Sequence, residues 1–158
     1  MSKLQTILVV TVLGVLFAAP SAMAQSNENY VQYRQKVMGA IGQSMGAIGD
    51  IMKNKLPFTG NIDDHARVIN INAKLIAGAF KQEAAEGKTD AKAEIWKNWA
   101  KFEEGVKKLD AASAKLAEVA ATGDMAAIGD AIKGVGGSCK GCHDDFKKPQ
   151  AESYKNQK

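Results

Sequence analysis

The chain is poor in the side chains that bind metals or make covalent cross-links. Its 158 residues include two cysteines, Cys139 and Cys142, and two histidines, His65 and His143. A structural zinc site needs four such ligands. No further cysteine exists, and His65 is far from the others in sequence, so zinc is the weaker reading. Nothing reads as a β-strand, which removes the βαβ setting usual for a thioredoxin-like Cys-x-x-Cys pair. No platform of aromatic residues interleaved with basic ones is present. The net charge of +4 therefore does not point to nucleic acid, because the lysines are spread along helical faces. There is no internal repeat and no second domain.

What is present is Cys139-Lys140-Gly141-Cys142-His143, the spacing for covalent attachment of a c-type haem. Two thiols three residues apart can add to the two vinyl groups on one porphyrin edge. The next residue then brings an imidazole under the iron as its axial ligand. A plain disulfide between the two cysteines is the other reading open to an exported chain.

Residues 1–24 read as an export signal. Lys3 supplies the positive start, Leu4 to Ala19 is dominated by apolar residues, and Ala22-Met23-Ala24 is a small-x-small cleavage site. The apolar run is short and ends at Pro20, which argues against a lasting membrane anchor. The expected mature protein is residues 25–158, a single periplasmic domain with one core.

That remainder predicts four helices. The first, at about 29–54, has apolar residues at Met38, Ile41, Met45, Ile48 and Met52, the 3-4-3-4 spacing of a bundle seam. After a break at Leu56-Pro57-Phe58-Thr59-Gly60, Asn61 or Asp63 can cap a second helix at about 63–86. It buries some of Ile62, Val68, Ile69, Leu75, Ile76 and Phe80. With Thr89 or Asp90 as cap, a third helix at about 91–121 carries Ile95, Trp99, Phe102, Val106, Leu109, Leu116 and Val119. Thr122-Gly123-Asp124 stops it and caps the fourth, whose seam runs Ile128, Ile132, Val135, Cys139, Cys142, Phe146. Both cysteines thus continue a core face, which would hold a porphyrin edge-on inside the bundle. Gly134, Gly136 and Gly137 would either admit a close neighbour or make the helix irregular. The polar tail from Pro149 onward is expected to fray.

In its haem motif at the end of the last helix, the sequence resembles cytochrome c′, the class II c-type cytochromes. Further matches are Tyr33-Arg34-Gln35 with Met38, Ala93-Glu94-Ile95-Trp96, and the run Val135 to Asp144. The resemblance covers essentially the whole of residues 25–158 and implies an all-α, up-down-up-down four-helix bundle with one covalently bound haem c. It implies thioethers at Cys139 and Cys142 and axial ligation by His143. It also implies Arg34 and Gln35 near the haem periphery and propionates, and Met38 over the distal face. Phe80, Asp90 and Glu94 would be haem neighbours, and Lys147 a basic residue on the proximal side. The chain departs from the family between Leu75 and Asp90, where the common proline- and tryptophan-containing loop is missing.

The sixth coordination position separates the possible functions. About fifteen residues, roughly 22 Å of helix, separate His65 from Phe80, so His65 reads as a surface or cap residue. No methionine follows His143, which excludes the ligand arrangement of small mitochondrial-type cytochromes. Met45 lies about 10 Å beyond Met38 along the first helix, leaving Met38 as the credible thioether. The resemblance implies that Met38 blocks the iron rather than binds it, which gives a five-coordinate, high-spin centre open to NO and CO. The alternative is a low-spin electron carrier with Met38 as sixth ligand and a redox partner that the sequence does not identify. An enzyme such as a peroxidase would need a distal acid-base group. Arg34 is the only polar candidate, and the propionates suit it better. The resemblance also implies a homodimer through the first two helices, where Gly39, Gly42, Gly46 and Gly49 form a small-residue stripe.

Overall fold

The computed structural model describes residues 21–156; most of the expected export signal, residues 1–20, lies outside the described residues. Five helices follow in order: α1 Ser21–Lys53, α2 Asn61–Phe80, α3 Glu94–Lys97, α4 Trp99–Ala120 and α5 Met125–Phe146. Two short 3-10 turns, Gln150–Glu152 and Tyr154–Asn156, end the described chain. The long helices form an up-down-up-down bundle in which α1 packs on α2, α2 on α4 and α4 on α5. No strand is present among the described residues.

The seams form the core as their spacing demands. Ile48, Ile62, Ile69, Leu116, Ile128 and Val135 are fully enclosed, joined by Ile41, Ile76, Phe102, Val106 and Leu109. Each such side chain contributes about 1.5–3 kcal/mol by leaving water. The methionines of the first seam, Met38, Met45 and Met52, are half-buried against this core. Val31, Val37 and Ile51 are buried as well, which makes the apolar face of α1 broader than the seam alone. On α2 only part of the apolar set turns inward: Val68, Ile71 and Leu75 are exposed.

Helix ends differ from the expected positions where distant groups supply the capping. The second helix stops at Phe80 rather than near residue 86. The Trp96 indole N–H donates to the Phe80 carbonyl at 2.8 Å and so satisfies a terminal acceptor from outside the helix. Its first residue follows Gly60, and neither Asn61 nor Asp63 makes a side-chain cap. The expected third helix is broken at Asn98, whose φ of −123° and ψ of 46° separate one turn, α3, from α4. Thr89 accepts a hydrogen bond from the Ala91 N–H at 3.1 Å but caps no helix. The last cap is as expected: the Asp124 carboxylate accepts from the N–H groups of Ala126 and Ala127. Helix α5 is continuous through Gly134, Gly136 and Gly137, so these glycines do not mark an irregularity. The described part of the tail is not extended coil throughout: it forms the two 3-10 turns, and Ser153 between them is 1% exposed.

Candidate functional site

Helices α1 and α5, the first and last of the bundle, do not pack on each other; no Cα atoms of the two come within 8 Å. The gap is a cleft of about 640 Å³. Its two walls are α1, with Val31, Arg34, Gln35, Met38 and Met45, and α5, with Gly136, Cys139, Cys142, His143 and Phe146. Ile76 and Phe80 of α2 and Phe102, Gly105, Val106 and Leu109 of α4 close the back. Phe102 is the hub of the aromatic floor. Its ring centroid lies 5.2 Å from Phe80, 5.4 Å from Trp99 and 5.5 Å from Phe146, the last edge-on.

The 3-4 spacing of α5 puts both cysteines on one wall, half-buried and free, with no disulfide between them. Burial pushes both thiols above their ordinary pKa, and for Cys142 the neighbouring Cys139 and Asp145 add to the rise. Cys142 faces Gly105 of α4. A Cβ at Gly105 would lie 3.5 Å from the Cys142 Sγ and 3.6 Å from its Cβ. Gly105 is thus a site residue that the seam pattern passes over; its signal is a glycine set between Phe102 and Val106 in an otherwise apolar stripe. His143 follows at the cleft margin, where the residue still presents surface to solvent. Partial desolvation, then the Lys147 charge, lowers its pKa and favours the neutral imidazole that ligates metals.

Arg34 is the most constrained polar group of the cleft. It is 3% exposed, and its Nη2 donates to the Ala84 carbonyl at 2.7 Å. Its Nε reaches the Tyr30 carbonyl at 3.4 Å. The guanidinium lies 5.0 Å from the Phe80 ring centroid and 5.3 Å from that of Trp96. Nη1 is buried and has no partner. Burial lowers its pKa, but the group remains a cation at neutral pH. A buried cationic donor facing a cleft calls for an anion.

The other expected residues divide clearly. Gln35, Met38, Phe80, Asp90 and Lys147 line the cleft. The Gln35 amide is already engaged, donating to the Lys88 carbonyl at 2.7 Å, so it fastens the α2–α3 loop to α1. Met45, set aside on distance along its helix, also lines the cleft. Glu94 is not in the lining; it is exposed and lies 3.8 Å from Lys97. The α2–α3 connection is a loop whose Thr89, Asp90 and Ala91 line the cleft, and Glu94, the first residue of α3, falls outside it. His65 lies away from the cleft at the start of α2. Among the described residues no three His, Cys, Asp or Glu side chains converge on a metal position.

The donor set fits haem c. An apolar slot has two thiols and an adjacent imidazole on one wall and a buried guanidinium with one unpartnered nitrogen on another, as a porphyrin with carboxylate substituents requires. A four-helix bundle that opens between its first and last helices around a Cys-x-x-Cys-His wall defines a c-type haem protein.

The comparisons with known proteins narrow the class. The profile of the family described as Cytochrome C′ matches residues 29–147. Cytochrome c′ of Rhodospirillum rubrum is 37% identical over 145 residues, covering 91% of this chain and 99% of the relative. The structure of cytochrome c prime from Shewanella frigidimarina superposes with a TM-score of 0.73 at 31% identity, over 78% of this chain and 97% of the other. A nitric oxide complex of a cytochrome c prime variant from Alcaligenes xylosoxidans gives 0.70 at 30% identity, again over 78% and 97%. The chain belongs to the cytochrome c′ family and carries one covalently bound haem c.

Proposed function

We propose that this protein is an exported, periplasmic haem protein that binds NO and CO, its iron held by His143 and its distal face roofed by Met38. The observation that carries this reading is the division of the cleft walls. His143 stands on α5, whereas α1 presents the apolar Val31, Met38 and Met45. Cys139 and Cys142 would hold the macrocycle to α5, and the unpartnered Nη1 of Arg34 would receive a propionate. When bound, the haem supplies an iron with one coordination position for a diatomic ligand and a one-electron couple. On the described α1 wall the polar side chains beside Met38 are both engaged, Arg34 with the Ala84 and Tyr30 carbonyls and Gln35 with the Lys88 carbonyl. Polar O₂ is therefore poorly stabilised, while NO and CO are admitted. The nitric oxide complex of the Alcaligenes relative supports this choice of ligand. The same lack of a free distal acid-base group favours a non-enzymatic protein.

A second reading has one specific support: the thioethers of Met38 and Met45 both line the cleft. With Met38 as sixth ligand the protein would be a low-spin electron carrier. Absorption and EPR spectra of the ferric and ferrous holoprotein separate the two. High-spin spectra that change on adding CO or NO are expected, and low-spin spectra indifferent to CO would assign Met38 to the iron. Replacing Met38 with alanine should speed CO binding about tenfold, if the thioether adds about 1.4 kcal/mol to the entry barrier. An unchanged rate would end its role as a roof.

The reading extends to assembly and export. Apart from chain neighbours and the backbone of the same helix turn, no atom of the described residues lies within 4 Å of where a Cβ would stand at Gly39, Gly42, Gly46 or Gly49. Gly39 and Gly42 line the cleft, whereas Gly46 and Gly49 lie outside it and leave a small-residue surface on α1. Together with exposed Val68, Ile71 and Leu75 on α2, it supports a homodimer through the first two helices. No described helix is long and apolar enough to cross a membrane. Intact mass of the exported protein tests removal of residues 1–24 and the covalent haem in one measurement.

A further inference from the structure

Beyond Phe146 the chain turns back across the cleft margin. Lys147 pairs with Ala91 in an isolated antiparallel bridge. The Lys92 N–H donates to the Phe146 carbonyl at 3.0 Å, and the Lys148 N–H to the Asp90 carbonyl at 2.7 Å. The Lys148 ammonium reaches the Thr89 carbonyl at 3.1 Å. The Asp90 side chain then takes hold of the tail with both oxygens. Oδ2 accepts from the Ser153 hydroxyl at 3.0 Å and Oδ1 from the Tyr154 N–H at 3.0 Å. The Lys147 ammonium lies 3.7 Å from the same carboxylate. A serine 1% exposed in a polar tail is a built contact, because buried hydroxyls are retained only where they are bonded. Tyr154 and Lys155, placed by this anchor, line the same cleft as His143 and Lys147.

We propose that residues 149–156 form a strap that walls the cleft beside His143, with Asp90 as its positioning residue and Tyr154 and Lys155 as its contribution to the haem environment. The family match ends at Lys147, so the strap lies beyond the matched region. Its work is to keep water from the part of the cleft that Tyr154 and Lys155 line, which would raise the cost of the more highly charged ferric state of a haem held there. The inference rests on haem c occupying the cleft and is indifferent to whether the iron binds gas or relays electrons.

The test uses the purified holoprotein, with intact mass confirming the haem in every variant. Amide exchange reads the docking, and the reduction potential and absorption spectrum read the cleft. The Tyr154 amide is expected to be protected and to exchange about tenfold faster in Asp90→Asn, which leaves only a neutral acceptor. Asp90→Glu should recover part of that protection. A chain ending at Pro149 and the variant Tyr154→Ala should both lower the reduction potential. If the shortened chain fails to retain haem, Tyr154→Ala decides alone, since it leaves the Asp90 anchor in place. Free-peptide exchange at Tyr154 in the parent protein would overturn the docking. An unchanged potential and spectrum in a folded, haem-loaded Tyr154→Ala would overturn the wall.

Discussion

Arg34 illustrates how one residue can be adapted to something outside the polypeptide. Two of its donors are used on backbone carbonyls, and the third group, Nη1, is buried without a partner. An unsatisfied buried donor on a cation is a cost that a haem carboxylate would remove. Arg34→Leu should therefore destabilise the haem-loaded protein by about 2 kcal/mol, through the lost carbonyl and propionate partners. In the haem-free chain the loss should be smaller, because the substitution also removes the orphaned donor. Urea unfolding of both forms measures the difference; equal losses would mean that the guanidinium serves the fold alone. The arginine was legible from its place in Tyr33-Arg34-Gln35. Its bond to Ala84 was not, because fifty residues separate the two.

At the scale of the element, the apolar seams located every long helix, because a 3-4 spacing is a local property of the chain. The ends were less legible, because partners far along the sequence decide them. Trp96 satisfies the last turn of α2, and Asp90, a candidate helix cap by its side chain and position, is drawn instead to Ser153 and Tyr154. Helix α4 meets the haem-attachment wall at Gly105, which faces Cys142. Gly105→Ala should be accepted, since 3.5 Å is an ordinary contact, and should gain roughly 0.5–1 kcal/mol of helix propensity. Gly105→Val places a whole isopropyl group against the Cys142 sulfur. It should lower the fraction of chain carrying haem through both thioethers, as read by intact mass. Full attachment in the valine variant would remove Gly105 from the site.

For the whole molecule, the decisive feature is that α1 and α5 stay apart while the other adjacent long helices pack. The bundle thereby keeps a continuous core through α2 and α4 and reserves the remaining side for the cofactor. On the opposite account stands an apolar surface that the single chain leaves uncovered, with Ile71 60% exposed on α2. An exposed stripe of this kind favours a symmetric partner, since the same patch can meet its own copy. Ile71→Glu should leave the holoprotein monomeric in sedimentation while its haem spectrum is unchanged. A persistent dimer would move the interface elsewhere.

The amino-acid sequence by itself determined the helical class, the seams and the chemistry of attachment. Residue spacing is enough to put Ile128, Val135, Cys139, Cys142 and Phe146 on one face, and no other part of the chain is needed to read it. Tertiary structure decided what depends on distant partners. It held Arg34 at Ala84, faced Gly105 with Cys142, and left Glu94 outside the cleft. It also anchored Ser153 and Tyr154, in a polar tail that local composition marks as free to fray, to Asp90. Hydrogen bonds and burial between segments up to 64 residues apart have no periodicity, so they become visible only once the helices have been packed.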